Sequence, residues 1–273
     1  MKSSSSSSVP QLSRRAFSLG CASAVLTACA TTPSTSTTAI APAPTATTPT
    51  TAPQRPMRIG LALGGGAARG FAHIGVIKAL EARNLKVDLL AGTSAGSVIA
   101  ALSAAGMNGI AINRLALSMD EASISDWATP FRTRGLLQGV ALQNYLNKTL
   151  DNRPIEKMAK PLGVVATDLR TGQPILFQRG NTGIAVRASC SVPSIFEPVK
   201  IGDHEYVDGG LVSPVPAAFA RKMGADFVIR PNLAAMSGSD FGQRNAAILA
   251  GEEAVSKIWP DLQRQMAARG VAA

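Results

Sequence analysis

The chain is poor in the side chains that most often build metal centres and disulfide frameworks. It has two histidines, His73 and His204, and three cysteines, Cys21, Cys29 and Cys190, in 273 residues. None of these residues forms the closely spaced group that a zinc site requires. If the amino-terminal region is removed as argued below, Cys190 is the one free thiol of the folded domain, so an intrachain disulfide framework is excluded.

The amino-terminal region lacks an apolar run long enough to span a membrane, yet it has the layout of an export signal. Ser13-Arg14-Arg15-Ala16-Phe17 precedes an apolar run that ends at Ala28, and this run is shorter than the roughly 20 residues of a membrane span. The paired arginines resemble a bacterial twin-arginine signal, although a basic pair also fits the general secretory route. Leu26-Thr27-Ala28-Cys29 resembles a lipobox, in which the cysteine is acylated and becomes the new amino terminus.

We therefore predict a signal peptide at residues 1–28 and a lipid anchor at Cys29. Threonine, alanine, proline and serine make up almost all of residues 30–56, a composition that buries little apolar surface and predicts an extended tether over residues 29–56. Ala30 stands where an aspartate would resemble an inner-membrane retention signal, which favours the outer membrane, facing the periplasm. The expected location is the bacterial cell envelope, and the folded domain is expected at residues 57–273.

Aromatic residues are scarce as well, and the balance of charge is positive. The chain has 2 Trp, 2 Tyr and 8 Phe and a net charge of +10, which falls to +7 when Lys2, Arg14 and Arg15 of the signal are removed. No basic cluster is interleaved with aromatic residues, so nucleic acid is not an expected partner. A basic envelope protein instead favours anionic lipid headgroups.

Two apolar segments each end in a glycine-rich turn. Residues 57–63 precede Gly64-Gly65-Gly66, and residues 87–91 precede Gly92-Thr93-Ser94-Ala95-Gly96. The pattern Gly-x-Ser-x-Gly suits a serine on a tight strand-to-helix turn with its hydroxyl exposed, so Ser94 is a candidate nucleophile. The backbone N–H groups of Gly64, Gly65, Gly66 and Ala95 are candidate donors to an oxyanion.

Other interpretations of these turns are weaker or remain open. The first turn lacks the Gly-Lys-Ser/Thr of a Walker A loop, and Arg69 stands where a dinucleotide fingerprint needs its third glycine. Arg69 could instead steady the loop or attract an anionic headgroup, or it could be an ordinary surface cation. Ser94 could also be a small residue that permits close packing of a strand against a helix.

Three residues are candidates for the base that activates Ser94. His73 lies in an apolar helical stretch, where a packing role is common, and His204 lies in a predicted hairpin. Asp208 ends a short strand and is followed by Gly209-Gly210. A carboxyl group with an ordinary pKa of about 3.9 is a weak base unless burial raises that pKa, and Asp-Gly-Gly also fits a simple turn.

The pattern of apolar residues predicts alternating strands and helices, and hence a parallel sheet with covering helices. The predicted strands are residues 57–63, 87–91, 162–166, 174–178 and 226–229, with a hairpin at 199–201 and 205–207. The predicted helices are residues 71–83, 94–105, 140–150, 184–191, 214–223 and 244–269, the last with a stop at Pro260. Residues 106–138 are predicted to be mostly helical, with breaks near Asn108 and Pro130.

Taken together, the motifs resemble those of the patatin-like phospholipases. The matching segments, in order, are Gly64-Gly65-Gly66-Ala67-Ala68-Arg69-Gly70, Gly92-Thr93-Ser94-Ala95-Gly96, Val165-Ala166-Thr167-Asp168-Leu169 with Thr171-Gly172, Arg187-Ala188-Ser189-Cys190-Ser191-Val192-Pro193-Ser194-Ile195-Phe196, and Asp208-Gly209-Gly210. The resemblance implies a single α/β domain of three layers, with a largely parallel central sheet flanked by helices.

The resemblance also implies a chemistry. Ser94 would be the nucleophile and Asp208 the base of a Ser–Asp dyad, the glycine loop would supply oxyanion donors, and neither histidine would be catalytic. No metal or other cofactor is implied. The expected function is hydrolysis of an ester in a phospholipid or related lipid at a membrane surface. A conventional triad with His73 or His204, and a non-catalytic lipoprotein that binds lipid or a protein partner, are the alternatives.

Overall fold

The computed structural model describes residues 57–119, 126, 134–230 and 241–269, except for the side chain of Phe241. The predicted signal peptide at 1–28, Cys29, the tether at 29–56 and the expected break near Pro130 lie outside the described residues. No helix within the described ranges is both long and apolar enough to cross a membrane.

Strands and helices alternate through the first half of the domain. The strands are β1 (Ile59–Leu63), β2 (Leu89–Thr93), β3 (Gly135–Leu137), β4 (Leu162–Asp168), β5 (Pro174–Phe177), β6 (Ser194–Phe196), β7 (Val199–Ile201), β8 (His204–Asp208) and β9 (Phe227–Ile229). The helices are α1 (Gly70–Glu81), α2 (Ala95–Ala104), α3 (Gly109–Ser118), α4 (Val140–Thr149), α5 (Thr182–Cys190), α6 (Ala217–Lys222) and α7 (Arg244–Ala267).

The main sheet of the described residues has the strand order β7-β8-β4-β2-β1-β9, and β5 pairs with β4 outside that path. β4, β2, β1 and β9 are parallel, whereas β5 and β8 are antiparallel to β4, and β7 is antiparallel to β8. The predicted α/β class is therefore confirmed, with a parallel centre and an antiparallel side. The two-residue connection Gly202-Asp203 explains the antiparallel pairing of β7 with β8, because so short a turn can join only antiparallel strands.

Helices cover both faces of the sheet. Leu61 and Leu90 belong to a large buried cluster with residues of α1, α2 and α7. Ala62 and Ala91, one position further along the same strands, pack with Ala220 of α6 on the other face. Because successive side chains of a strand point to opposite faces, strands covered on both faces read as continuous apolar runs.

Helix α1 is buried on nearly every side because α7 packs closely against it. A Cβ built on Gly75 of α1 would lie 1.8 Å from the carbonyl oxygen of Ile248, and one built on Gly251 of α7 would lie 2.0 Å from that of Ala72. These glycines allow the two helix backbones to approach each other. The approach fixes the beginning of α1, which lies next to the candidate site.

Two sequence predictions are wrong in detail. Pro260 does not stop the last helix, which continues to Ala267; burial of Leu262 and Met266 beyond it offsets the cost of about 3 kcal/mol of an interior proline. Residues 135–137, expected within a mostly helical stretch, form β3 and pair with β6. This short parallel pairing joins segments far apart in sequence, so local periodicity carries no signal for it.

Candidate active site

Ser94 occupies a strained turn between β2 and α2. Its backbone has φ 51° and ψ −130°, a conformation that costs a non-glycine residue about 1–3 kcal/mol. The flanking glycines make room for this turn. A Cβ on Gly92 would lie 2.5 Å from the Cα of Ser97, and a Cβ on Gly96 would lie 2.2 Å from the carbonyl oxygen of Leu63. The predicted strand-to-helix turn is present, and both glycines are required by close backbone contacts.

Two other serines hold the backbone of this turn. The N–H of Ser94 donates to Ser189 Oγ at 2.8 Å, and Ser189 Oγ donates to the carbonyl oxygen of Val165 at 2.5 Å. The carbonyl oxygen of Ser94 accepts from Ser97 Oγ at 2.6 Å. Ser189 and Ser97 are fully buried, so these hydrogen bonds form away from water and fix the strained conformation.

Asp208 reaches Ser94 through the pairing of three strands. In the register of the sheet, Thr93 of β2 lies opposite Val165 of β4, and Ala166, the next residue of β4, lies opposite Asp208 of β8. The last residue of β8 is thereby placed beside the turn that follows β2. Ser94 Oγ donates a hydrogen bond to Asp208 Oδ2 at 2.6 Å.

Burial makes Asp208 a better base than an exposed aspartate. The residue is 6% exposed, and loss of hydration raises the pKa of its carboxyl group above 3.8, opposed in part by the hydrogen bonds from Ser94 and from the N–H of Gly210. The Gly210 N–H donates to Oδ1 at 2.6 Å. One carboxylate oxygen is therefore held by the backbone while the other accepts the serine hydroxyl.

The loop after β1 lies against the Ser94 turn. A Cβ on Gly65 would lie 3.0 Å from the Cβ of Ser94, so the missing side chain leaves space beside the serine. The N–H of Gly65 donates to the carbonyl oxygen of Pro214 at 2.9 Å. This predicted oxyanion donor is therefore already hydrogen-bonded within the protein. Gly66 adopts φ 142°, and Ala95 begins α2 immediately after Ser94.

Arg69 lies at the end of a short 3-10 turn that joins this loop to α1. A Cβ on Gly66 would lie 3.1 Å from the Cδ of Arg69, so the arginine side chain runs beside the loop. Its supporting role in the chemistry stays a prediction.

Both histidines bind other groups. His73 is buried, its Nε2 lies 2.8 Å from the carbonyl oxygen of Gly64, and burial lowers its pKa from 6.5 to about 4. His204 Nδ1 lies 2.6 Å from Asp168 Oδ2. His73 is therefore neutral and donates a hydrogen bond to the glycine loop. The side chain that is hydrogen-bonded to the Ser94 hydroxyl is that of Asp208.

The fold brings to this site three residues for which the sequence predicted no role. Ser189 and Cys190 lie in the segment 187–196 quoted for the family resemblance, and Ser97 lies three residues after Ser94. Cys190 Sγ is 3.9 Å from Ser97 Oγ, and burial raises the pKa of this thiol to about 12, which keeps it protonated. Of these three residues, Ser97 alone lies close in sequence to the predicted turn at Ser94, so only its contact with that turn had a local signal in the sequence.

The described residues contain no group of three or more His, Cys, Asp and Glu side chains that could hold a metal ion. A cavity of about 570 Å³ lies at the opposite edge of the sheet, where its lining includes Glu81, Lys86, Asp88 and Lys160. It does not include Ser94 or Asp208.

The chain is similar in sequence to known proteins. The model of the patatin-like phospholipase family matches residues 61–221. An uncharacterized NTE family protein of Mycobacterium tuberculosis is 35% identical over 187 residues, which are 68% of this chain and 51% of that protein. Patatin-like phospholipase domain-containing protein 6 of Mus musculus is 33% identical over 197 residues, which are 67% of this chain and 14% of that protein.

The fold also resembles that of a solved structure, VipD from Legionella pneumophila. The TM-score is 0.50 at 18% sequence identity, and the match covers 77% of this chain and 56% of that chain. The chain spans about half the length of the mycobacterial relative that it matches.

Proposed function

Because the chain belongs to the patatin-like phospholipase family, we propose that its domain is a serine acyl hydrolase that cleaves ester bonds of phospholipids or related lipids. The observation that carries the proposal is the 2.6 Å hydrogen bond from Ser94 Oγ to Asp208 Oδ2. A serine hydroxyl is a poor nucleophile until a neighbouring base takes its proton, and the partly desolvated carboxylate of Asp208 is that base.

The proposed reaction has two steps. Ser94 Oγ attacks the ester carbonyl carbon while its proton passes to Asp208 Oδ2, and the C–O bond to the alcohol then breaks. The alcohol leaves with the proton from Asp208, and the acyl group remains on Ser94. A water molecule next gives a proton to Asp208 and attacks the acyl carbon, which releases the acid and returns the proton to Ser94.

The negative oxygen that forms at each step needs donors that are already in place. We assign this role to backbone N–H groups of the loop Gly64–Gly66 and of Ala95. Ala95 begins α2, so its N–H carries the positive end of the helix dipole. Use of the Gly65 N–H would require release of the Pro214 carbonyl oxygen that it now binds.

A fluorophosphonate probe tests the nucleophile directly. We expect one covalent adduct, which peptide mass spectrometry places on Ser94, together with hydrolysis of p-nitrophenyl butyrate. A protein that neither reacts with the probe nor hydrolyses the ester would instead fit the non-catalytic, lipid-binding alternative. Mass spectrometry of the lipids released from bacterial membranes then identifies which ester bond is cut.

We also propose that the domain is tethered to a membrane of the cell envelope through acylated Cys29, with the outer membrane, facing the periplasm, as the favoured location. The lipobox-like sequence and the tether composition at residues 30–56 support this. Metabolic labelling with an alkyne-bearing fatty acid should mark the unmodified chain and the Cys21→Ala control. Labelling that persists in Cys29→Ala would contradict the anchor.

A further inference from the structure

Exposed apolar side chains are concentrated around the candidate active site. Ten large apolar residues of the described ranges are exposed, and five of them lie in segments that border Ser94 and Asp208. We call these five the apolar rim: Leu136, Val192, Ile195, Leu211 and Val215. Solitary exposed apolar residues are ordinary on a protein surface, whereas a group around one site marks an interaction surface.

Two rim residues lie next to backbone contacts of Asp208. Leu211 ends the short 3-10 turn that begins immediately after Asp208. Val192 follows Ser191, whose carbonyl oxygen accepts the N–H of Asp208 at 2.8 Å.

Val215 reaches the glycine loop from the other side. Its Cγ2 would lie 3.0 Å from a Cβ on Gly64, and the preceding residue, Pro214, accepts the N–H of Gly65. The loops that hold the catalytic groups therefore also carry the exposed apolar side chains.

The remaining two rim residues lie on the small parallel sheet of β3 and β6. Gly135 lies opposite Ser194 and Leu137 opposite Phe196, so Leu136 and Ile195 are neighbours at the centre of the pairing. The N–H of Ile195 donates to the carbonyl oxygen of Val192 at 3.1 Å. The small sheet thus extends the rim outward from Asp208.

A phospholipid surface fits this rim better than a small soluble substrate does. The ester bonds of a phospholipid lie at the boundary between headgroups and acyl chains, and a protein reaches that depth by burying apolar side chains there. Arg230 is exposed and follows β9, whose residue Ile229 lies opposite Leu61 of β1. It therefore adds positive charge at the same edge, where anionic headgroups are attracted.

We propose that the apolar rim docks the domain onto an anionic phospholipid bilayer and lowers Ser94 to the depth of the ester bonds. This inference rests on the proposed function, because it takes the lipid ester as the substrate. The predicted tether would hold the chain near a membrane, whereas the rim would orient the active site toward the lipid.

The test compares two rim positions with an equally exposed position at the other edge of the sheet. Leu136 and Ile195 lie on the small sheet rather than on the loops that hold Ser94 and Asp208, and Leu136 is 61% exposed. Ile110→Ser, at 54% exposure, is the control, because Glu81 at the far end of α1 binds the adjacent Gly109 N–H. Each full-length variant is assayed on p-nitrophenyl butyrate and on vesicles of phosphatidylethanolamine and phosphatidylglycerol.

We expect the double variant Leu136→Ser/Ile195→Ser to hydrolyse vesicle phospholipid about 10- to 50-fold more slowly, since each buried aliphatic side chain contributes up to about tenfold to partitioning. Its rate on p-nitrophenyl butyrate should stay within about twofold of the unmodified chain, since burial of the rim serves only the lipid interface. The control should match the unmodified chain on both substrates.

A second measurement keeps docking separate from chemistry. In the full-length chain carrying Cys29→Ala and Ser94→Ala, the rim variants should co-float with the same vesicles about 10- to 50-fold less than the control. Equal flotation would overturn the docking surface. Absence of ester hydrolysis in the unmodified chain would overturn the proposed function. Flotation of the inactive variants would then test the docking surface independently of the chemistry. A dimer that dissociates in the rim variants, with unchanged vesicle rates, would make the rim a subunit contact and also overturn the proposal.

Discussion

The two edges of the central sheet differ in what their polar groups do. At the carboxyl edge of β1 and β2, the strained Ser94 binds the buried Asp208. At the amino edge, Asp88 Oδ2 accepts the N–H of Ile59 at 2.6 Å, and Glu81 accepts the N–H of Gly109 at 2.8 Å. The carboxylates of the amino edge satisfy backbone groups at the ends of elements, whereas Asp208 also binds a hydroxyl that can react.

Backbone strain separates the two edges as well. Asn84 at the amino edge has φ 57°, a left-handed position after a helix that asparagine tolerates. Ser94 combines φ 51° with ψ −130°, which is outside the left-handed helical region. The cavity of about 570 Å³ nevertheless lies at the amino edge. Backbone strain and a reactive pair, rather than cavity volume, therefore identify the candidate site.

The largest expected effect comes from removing the serine at the start of α2, with the serine near its other end as the control. Ser94→Ala deletes the proposed nucleophile and should lower kcat/KM for p-nitrophenyl butyrate by about 10⁴- to 10⁶-fold. Ser103→Ala, a buried position at the amino edge, should leave activity within about threefold because it touches no reacting group. A Ser94→Ala protein with a tenth of the original activity would disprove the mechanism.

The same comparison can be made with two aspartates. Asp208→Asn keeps the shape but removes the base, and should lower kcat by about 10²- to 10⁴-fold. Asp88→Asn should leave kcat unchanged and reduce the free energy of unfolding by about 1 kcal/mol, through a weaker hydrogen bond to Ile59.

The pH profile sharpens the role of Asp208. Activity requires the carboxylate, so the rate should rise with pH as the proton is lost, and because burial raises its pKa, the midpoint of this rise should lie above 3.8. A rate that shows no acid limb between pH 4 and the pH of maximal activity would argue against this base.

Ser189 should have an intermediate effect on activity because it positions the turn without touching the reacting atoms. Ser189→Ala leaves the N–H of Ser94 and the carbonyl of Val165 without this partner, and should lower kcat about 10- to 100-fold through misplacement of the nucleophile. The free energy of unfolding should fall by about 1–3 kcal/mol. The matched control is Ser191→Ala, since the Ser191 hydroxyl donates to the carbonyl oxygen of Arg187 at 2.9 Å and not to the Ser94 turn. Equal losses of kcat in both variants would mean that Ser189 contributes only to packing and does not position the Ser94 turn.

The last expected effect is on the stability of the fold in mild acid rather than on activity. Burial lowers the pKa of His73 from 6.5 to about 4. As the pH falls, this histidine is therefore protonated near pH 6.5 in the unfolded chain but only near pH 4 in the folded chain. Stability from the neutral histidine is therefore complete above pH 6.5 and declines as the pH falls toward 4, by about 2 kcal/mol between pH 7 and pH 5. Urea unfolding at both pH values should show a smaller decline in His73→Gln, and an identical decline would contradict this account.

Much of the fold was predictable because its signals are local. The strands β1 and β2 are short apolar runs, and each is followed by glycines that permit a tight turn, so β1, α1, β2 and α2 were all expected. The wrong predictions concern features decided at a distance. Pro260 is tolerated because Leu262 and Met266 beyond it are buried, and β3 exists because it pairs with β6.

The features of the candidate site likewise divide into those with a local sequence signal and those set by distant contacts. The serine turn was predictable from one local motif, since Gly92 and Gly96 flank Ser94, and the family resemblance marked Asp208 as its partner. The hydrogen bond between these two residues, which are 114 positions apart, depends on the tertiary structure. Pairing of β8 with β4, and of β4 with β2, brings them together, and burial of Asp208 and of the Ser189 hydroxyl follows from that pairing. Strand pairing, burial and the pKa values they set are properties of the packed sheet, which no local segment of the sequence contains.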